Sequence, residues 1–155
     1  MRAPAPQATR LELVVRFCET DLMGIVHHAN YLQYFEAGRV AWLKARGVSY
    51  EAWVSAGMHL PVVDARVHYR RAARFDETLL VDTWVGALGR ASVRFDYRIE
   101  RSAAPGETIC EGSTLLACVD AALRTRRLPR EVEALLREGL VTPADPASSA
   151  ASAPK

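Results

Sequence analysis

The chain has 155 residues, half of them hydrophobic, with 20 basic against 18 acidic side chains and a formal net charge of +2. This length fits one domain with a substantial core. The near-neutral charge gives no general reason to expect binding to nucleic acid. No apolar run reaches the ~20 residues of a membrane-spanning helix, and the start, MRAPAPQATR, lacks a hydrophobic signal region. These features predict a cytoplasmic protein without a membrane span.

The three cysteines form no CxxC pair, which argues against a disulfide framework and against a zinc site; no cofactor is expected. Both ends are rich in Ala, Pro and Ser, and such segments bury too little apolar surface to offset the entropy of ordering. The sequence therefore predicts disordered tails at 1–8 and 142–155 and a single folded domain over 9–141.

The first predicted elements are a strand and a long helix. Apolar and polar residues alternate over 11–18, which indicates a strand with one buried face. Over 30–46 apolar residues recur at three- and four-residue steps, which indicates a helix that Gly47 would cap. A short helix fits 50–56. Apolar residues cover so much of the long helix that we expect other elements to wrap it.

Strands fill most of the remaining chain. Alternating patterns and intervening turns predict them at 62–72, 78–85, 92–101 and 108–120. Pro129 at a first helical position would begin a short terminal helix that ends at Arg137. The order of elements predicts an α+β domain in which a five-stranded antiparallel meander curls around the long helix.

The segment 19–39, ETDLMGIVHHANYLQYFEAGR, carries the chemistry. Asp21 follows a strand, and a carboxylate there could attack a carbonyl or activate water. The N–H groups at the start of the following helix, near His28, are unpaired and can hold an oxyanion. Gly24 would let the chain turn sharply between the two. A carboxylate after a strand is also a common turn or capping residue, and the residues alone favour that role.

Twelve residues of this segment match a known motif in order and spacing: Glu19, Thr20, Asp21, Gly24, Val26, His28, Ala29, Asn30, Tyr31, Phe35, Glu36 and Arg39. With them the chain resembles the hotdog-fold acyl-CoA thioesterases of the 4-hydroxybenzoyl-CoA thioesterase and YbgC-like group. The match continues through the folded region to RRLP at 126–129. Glu19 departs from the Asp that many members carry, and His27 stands where an aromatic residue is common.

The resemblance implies a hotdog fold and hydrolysis of an acyl-CoA thioester to a free acid and CoA. It implies that Asp21 is the catalytic carboxylate, as nucleophile or general base, that the His28 backbone amide is the leading oxyanion donor, and that Gly24 shapes the site. Candidate substrate-binding residues are Ala29, Asn30, Tyr31, Arg70, Arg71 and Arg90. Arginine suits the phosphates of CoA, although a solvated basic face would give the same pattern.

Relatives of this kind join their sheets edge to edge, so the resemblance implies a homodimer or homotetramer with the site between subunits. The long terminal strand would need such cover for its edge. An acyl-carrier protein is a further candidate partner. The alternative function is a non-catalytic hotdog module that binds acyl groups, an acyl-carrier protein or envelope partners. The acyl group stays open among aromatic, short-chain and long-chain types.

Several residues have simpler structural interpretations. Metal binding by His27 and His28 is disfavoured, because adjacent side chains point apart and no third ligand has zinc spacing. Asn30 with Gln33 three residues later fits a capping box, and an ion pair could join Glu36 to Arg39.

Other side chains near the motif also have ordinary roles. Cys18 is expected to be an ordinary strand cysteine. Gly38 costs the helix ~1 kcal/mol relative to alanine, which close packing would explain. Four aromatic residues could line a pocket or fill the core: Tyr34, Phe35, Trp42 and Trp53.

Overall fold

The computed structural model describes residues 7–141 as an α+β domain. Its strands are β1 (Thr9–Val14), β2 (Val62–Tyr69), β3 (Thr78–Leu88), β4 (Ser92–Arg101) and β5 (Thr108–Ala117). Its helices are α1 (Asn30–Lys44), α2 (Tyr50–Ser55) and α3 (Arg130–Glu138). Within this part of the chain no helix has the length and apolar character needed to cross a membrane.

The ends of the elements differ modestly from the predicted ones. β3 runs three residues further than predicted, β2 and β5 each end three residues earlier, and Pro129 immediately precedes α3 instead of beginning it. Gln7 was assigned to the N-terminal tail, but its carbonyl accepts a hydrogen bond from Arg46 Nη2 at 2.8 Å. Residues 1–6 and 142–155 of the predicted tails lie outside the described residues.

The five strands form one antiparallel sheet in the order β1-β3-β4-β5-β2. The predicted simple meander is wrong at one connection, because β2 pairs with β5 and the segment FDET leads across the sheet to β3. The predicted terminal edge is also wrong. β5 lies inside the sheet, and the two edge strands are β1 and β2.

One face of the sheet packs against α1, which contacts β1, β3 and β4. The alternation predicted for β4 is confirmed, since Phe95 and Tyr97 are buried on that face. Phe35 of α1 stacks on Tyr97 with ring centroids 4.3 Å apart, and Trp42 meets Phe95 edge-on at 5.4 Å. Burying such aromatic pairs contributes both apolar area and favourable ring geometry, so this face is the centre of the core.

Gly38 marks the closest approach of α1 to the sheet. A Cβ atom placed there would lie 2.4 Å from Thr83 Oγ1 and 2.9 Å from Val81 Cγ1 on β3. The close packing expected at this glycine is therefore confirmed. The next residue, Arg39, donates to Tyr97 Oη at 3.1 Å and to Thr114 Oγ1 at 3.4 Å. The predicted Glu36–Arg39 ion pair is not formed.

β1 ends four residues before the predicted end at Cys18, and a 3-10 turn follows at Phe17–Glu19. The turn forms because the Glu19 carboxylate accepts the Arg16 N–H at 2.8 Å. Phe17 is consequently 76% exposed instead of facing the core, and it contacts Phe75 at 5.7 Å between ring centroids. Cys18 is exposed in the same turn, so it is not a strand cysteine.

Candidate active site

Five of the predicted site residues line one cavity between the N-terminus of α1 and the end of β2. They are Asp21, His28, Tyr31, Arg70 and Arg71, and the cavity has a volume of about 280 Å³. Asp21 before α1 and Arg70 after β2 are 49 positions apart in sequence, and they meet because the end of β2 lies beside the start of α1, where Tyr69 contacts Tyr31. Ala29, Asn30 and Arg90 do not line this cavity.

A tight loop between Thr20 and Val26 holds Asp21. These two residues form an antiparallel bridge, and within it the Asp21 N–H donates to the Ile25 carbonyl at 2.9 Å. The Gly24 N–H donates to the Asp21 carbonyl at 2.9 Å, and Gly24 has φ +73°, a conformation that side chains disfavour. The turn predicted at Gly24 is therefore present, and it brings Asp21 round toward the helix.

The two carboxylate oxygens of Asp21 have different surroundings. Oδ1 accepts the Met23 N–H at 2.8 Å, which is the turn interaction that the residue type alone suggests. Oδ2 has no hydrogen-bond donor among residues 7–141. One oxygen therefore fixes the orientation of the carboxylate, and the other is available to a reactant in the cavity.

The amides at the start of α1 are not equivalent. The Ala29 N–H donates to His27 Nδ1 at 3.2 Å, and the Asn30 N–H donates to the His27 carbonyl at 3.0 Å. In the described part of the chain the His28 N–H has no acceptor. His28 therefore offers a free donor at the positive end of the helix, and the hydroxyl of Tyr69 donates to its carbonyl at 2.9 Å.

The two histidine rings stack on each other, with centroids 4.1 Å apart. The expectation that adjacent side chains point apart is therefore wrong here. Residues 7–141 nevertheless contain no group of three or more His, Cys, Asp or Glu side chains that could hold a metal ion. The His27 ring stabilises the turn before α1, because its Nδ1 accepts a hydrogen bond from the Ala29 amide.

The Asn30 side chain connects α1 to the chain before the loop and does not cap the helix. Ala29 occupies the capping position, and the Asn30 side chain donates to the Glu19 carbonyl at 2.7 Å. The buried carboxylate of Glu19 accepts the Tyr34 hydroxyl at 2.8 Å as well as the Arg16 amide. The predicted capping box at Asn30 is therefore wrong, because Asn30 and Glu19 instead bind α1 to the chain that leads into Asp21.

Burial by itself would raise the pKa of Glu19, but three hydrogen bonds from the Arg16 amide, the Tyr34 hydroxyl and the Arg16 guanidinium favour its ionised form. Together they hold the pKa of this carboxyl below its usual value. Because the folded-state pKa is lowered, the stabilisation is present above the unfolded-state pKa. It is lost as the pH falls through the folded-state value.

We expect Tyr34→Phe to lower the free energy of unfolding by about 1.5–3 kcal/mol at neutral pH, since a buried charged acceptor loses a donor. The loss should shrink as the pH falls and Glu19 becomes protonated in both proteins. Urea unfolding of both proteins at neutral and acidic pH measures this difference. Tyr50→Phe is the control, because the one hydrogen bond that its hydroxyl forms within residues 7–141 is accepted from a neutral donor, the Leu60 amide. A Tyr34→Phe loss that is independent of pH would contradict the prediction.

The predicted CoA-binding arginines lie in two separate places. Arg70 and Arg71 follow β2 at the mouth of the cavity, paired with Glu111 at 3.1 Å and Glu107 at 3.2 Å. Exposed pairs like these contribute only ~0–1 kcal/mol, so an incoming phosphate can replace the carboxylates. Arg90 lies in the β3–β4 turn, at the opposite end of the sheet.

Sequence reasoning missed Tyr69, which lines the cavity and binds the His28 carbonyl. The available signal was its place at the end of the alternating apolar positions of β2, directly before two arginines. Tyr31 was predicted, and burial raises its pKa to about 12, so it enters the site as a neutral phenol. The other aromatic candidates lie elsewhere, since Phe35 and Trp42 are core residues and Trp53 lines a different cavity.

The antiparallel sheet packed on a long helix, with Asp21 and His28 lining one cavity beside the start of that helix, defines an α+β protein with a polar site at the helix N-terminus. The family model described as the thioesterase superfamily matches residues 23–105. The chain therefore belongs to the thioesterase superfamily and is a thioester hydrolase.

Individual relatives agree with this assignment. YneP of Bacillus subtilis, named provisionally as an acyl-CoA thioesterase, is 37% identical over 72% of this chain and 80% of its own length. YbgC of Escherichia coli, named an acyl-CoA thioester hydrolase, is 28% identical over 80% of this chain and 92% of its own. The crystal structure of the DHNA-CoA thioesterase from Staphylococcus aureus matches with TM-score 0.76 and 31% identity, covering 87% of this chain and 97% of that one. The predicted hotdog fold is confirmed.

Proposed function

We propose that this protein hydrolyses an acyl-CoA thioester to a free carboxylic acid and CoA. The observation that carries the proposal is the cavity that Asp21 and His28 both line, because Asp21 keeps a free Oδ2 and His28 keeps a free amide within residues 7–141. The names of YneP and YbgC support CoA as the thiol half of the substrate.

In the proposed reaction the thioester carbonyl oxygen accepts the His28 N–H, which stabilises the negative charge that develops in the transition state. Asp21 then acts in one of two ways. As a general base it takes a proton from water, whose oxygen attacks the carbonyl carbon. As a nucleophile it forms a mixed anhydride that water then hydrolyses. In both routes the carbon–sulfur bond breaks and the CoA thiolate leaves. Heavy-oxygen label appearing in Asp21 during one turnover in labelled water would identify the nucleophilic route.

The lining of the cavity suggests where the two halves of the substrate lie. Arg70 and Arg71 at the mouth would bind CoA phosphates by exchanging their present carboxylate partners. Tyr31, Ile25 and Val26 provide an apolar wall for the acyl group. An aromatic acyl group is one candidate, because the Staphylococcus aureus protein is named a DHNA-CoA thioesterase.

A panel of aromatic, short-chain and long-chain acyl-CoAs, with release of the thiol followed, tests this function directly. Hydrolysis of at least one member is expected. The same acyl groups on an acyl-carrier protein are tested in parallel, because Met23, which lines the cavity, and the preceding Leu22 are exposed apolar side chains that a carrier could contact. Binding of that carrier without hydrolysis of any thioester would favour the non-catalytic module instead.

We further propose a homodimer joined through β2, or a tetramer of such dimers. β2 is the longer edge strand, with eight residues against six in β1, and Val63 on it is 59% exposed. Two-fold antiparallel pairing of β2 would bring the start of one strand beside the end of the other. Arg90 of the partner subunit would then lie at the same end of the joined sheet as Asp21, which accounts for an arginine that is remote within one subunit.

We expect Val63→Lys to shift the protein from dimer to monomer at micromolar concentration, because lysine on a paired edge would bury charge. Val14→Lys on β1 is the matched control, since Val14 is 51% exposed, and it should leave the assembly unchanged. Light scattering coupled to size-exclusion chromatography measures both. A monomeric wild-type protein, or dissociation by the β1 variant alone, would contradict pairing through β2.

A further inference from the structure

A second cavity lies between α2 and α3 and is not used by the site at Asp21. Its volume is about 260 Å³, and its walls are mainly apolar side chains: Val48, Trp53, Met58, Pro129, Val132 and Leu135. The helix α2 beside it has no fully buried residue. Space of this kind next to a helix is where small apolar ligands bind between elements.

The two cavities are well separated and share no lining residue. His28 precedes the N-terminus of α1, whereas Val48 follows its C-terminus, and a helix of 15 residues is about 22 Å long. A molecule in the second cavity would therefore not contact Asp21 of the same subunit.

Arg126 supplies the positive charge of this cavity. It belongs to the basic run at 124–130, its side chain is half-buried, and its Nη1 donates to the Gly57 carbonyl at 3.2 Å. None of the ion pairs formed within residues 7–141 involves Arg126, whereas Arg124 in the same run pairs with Asp120. A guanidinium has five N–H donors, so Arg126 retains donors for an anion beside the apolar walls.

We propose that this cavity binds a small amphipathic carboxylate of the fatty-acid type. The apolar body would lie against α2 and α3, and the carboxylate would accept hydrogen bonds from the planar guanidinium of Arg126. A doubly charged phosphate fits less well, because Arg126 is the one cation in the lining and the lining also contains Glu131. The volume is near the lower end for ligand pockets, which favours a chain of medium length. The proposal does not depend on thioester hydrolysis.

The test is calorimetric titration of the full chain with decanoate and with decanol. We expect Arg126→Gln to weaken decanoate binding about tenfold, through loss of a charged hydrogen bond, and to leave decanol binding unchanged. Glutamine keeps a donor for the Gly57 carbonyl, so the wall should persist. Arg127→Gln is the matched control, because Arg127 is exposed and outside the lining, and it should bind decanoate as the wild type does.

A second variant tests the place of binding. Ala56 is an exposed lining residue, and Ala56→Phe should fill the cavity and abolish binding of both ligands while the circular dichroism spectrum stays native. Absence of decanoate binding to the wild type would overturn the proposal. Equal decanoate affinity in Arg126→Gln, or retained binding in Ala56→Phe, would overturn it as well. None of these results bears on the thiol-release assay, so failure here and failure of the proposed hydrolysis are distinguishable.

Discussion

Asp21→Asn is expected to lower kcat for acyl-CoA hydrolysis by about 10²- to 10⁴-fold, the range associated with loss of a positioned acid–base group. An amide can neither accept the proton of water effectively nor attack the carbonyl as a carboxylate does. The loop should survive the change, because the side-chain oxygen of asparagine can still accept the Met23 N–H that Oδ1 binds now. The effect should therefore appear in kcat, with little change in melting temperature.

Asp76→Asn provides the matched control for this experiment. Asp76 is exposed, lies between β2 and β3 and is absent from the lining of the cavity at Asp21. Its φ of +66° is one that asparagine also adopts readily, so its kcat should equal that of the wild type. Steady-state thiol release with the best substrate of the panel measures both variants. A wild-type kcat in Asp21→Asn would remove Asp21 from the mechanism.

Gly38→Ala is expected to reduce the free energy of unfolding by about 1–3 kcal/mol, the usual cost of overpacking a core. Alanine favours the helix by ~1 kcal/mol over glycine, so a change governed by helix propensity would be stabilising. The contact distance decides the sign. A new Cβ would lie 2.4 Å from Thr83 Oγ1, well inside van der Waals contact, and Thr83 is fully buried on the central part of the sheet.

The double variant Gly38→Ala/Thr83→Ala tests whether the steric clash with Thr83 causes the loss of stability in Gly38→Ala. Removing the Thr83 hydroxyl should make Gly38→Ala less costly than it is in the wild type, a coupling expected of residues in contact. The hydroxyl itself has no hydrogen-bond partner within residues 7–141, so Thr83→Ala sacrifices no such bond there. Urea unfolding of the four proteins gives the coupling free energy. Stabilisation by Gly38→Ala alone would show that α1 does not approach β3 as closely as described.

Local sequence determined the parts of the site that neighbouring residues build. Asp21, Gly24 and His28 lie within eight positions, and their turn and helix start depend on short-range hydrogen bonds and on one positive φ. The inner face of β4 likewise followed from its period of two, because alternation is a property of a single strand. In these cases the interacting groups are close in sequence, so their pattern carries the information.

Tertiary structure decided which strand lies at the edge and which groups compete for the helix start. β2 and β5 carry no local signal that they pair with each other, and their pairing brings Tyr69, Arg70 and Arg71 to His28 while leaving Arg90 at the other end. The Ala29 amide is not available to a substrate, because it donates a hydrogen bond to the His27 ring. The Asn30 side chain donates to the Glu19 carbonyl and therefore does not cap α1. Contacts of this kind depend on where whole elements pack and on competition among donors and acceptors, neither of which hydrophobic periodicity records.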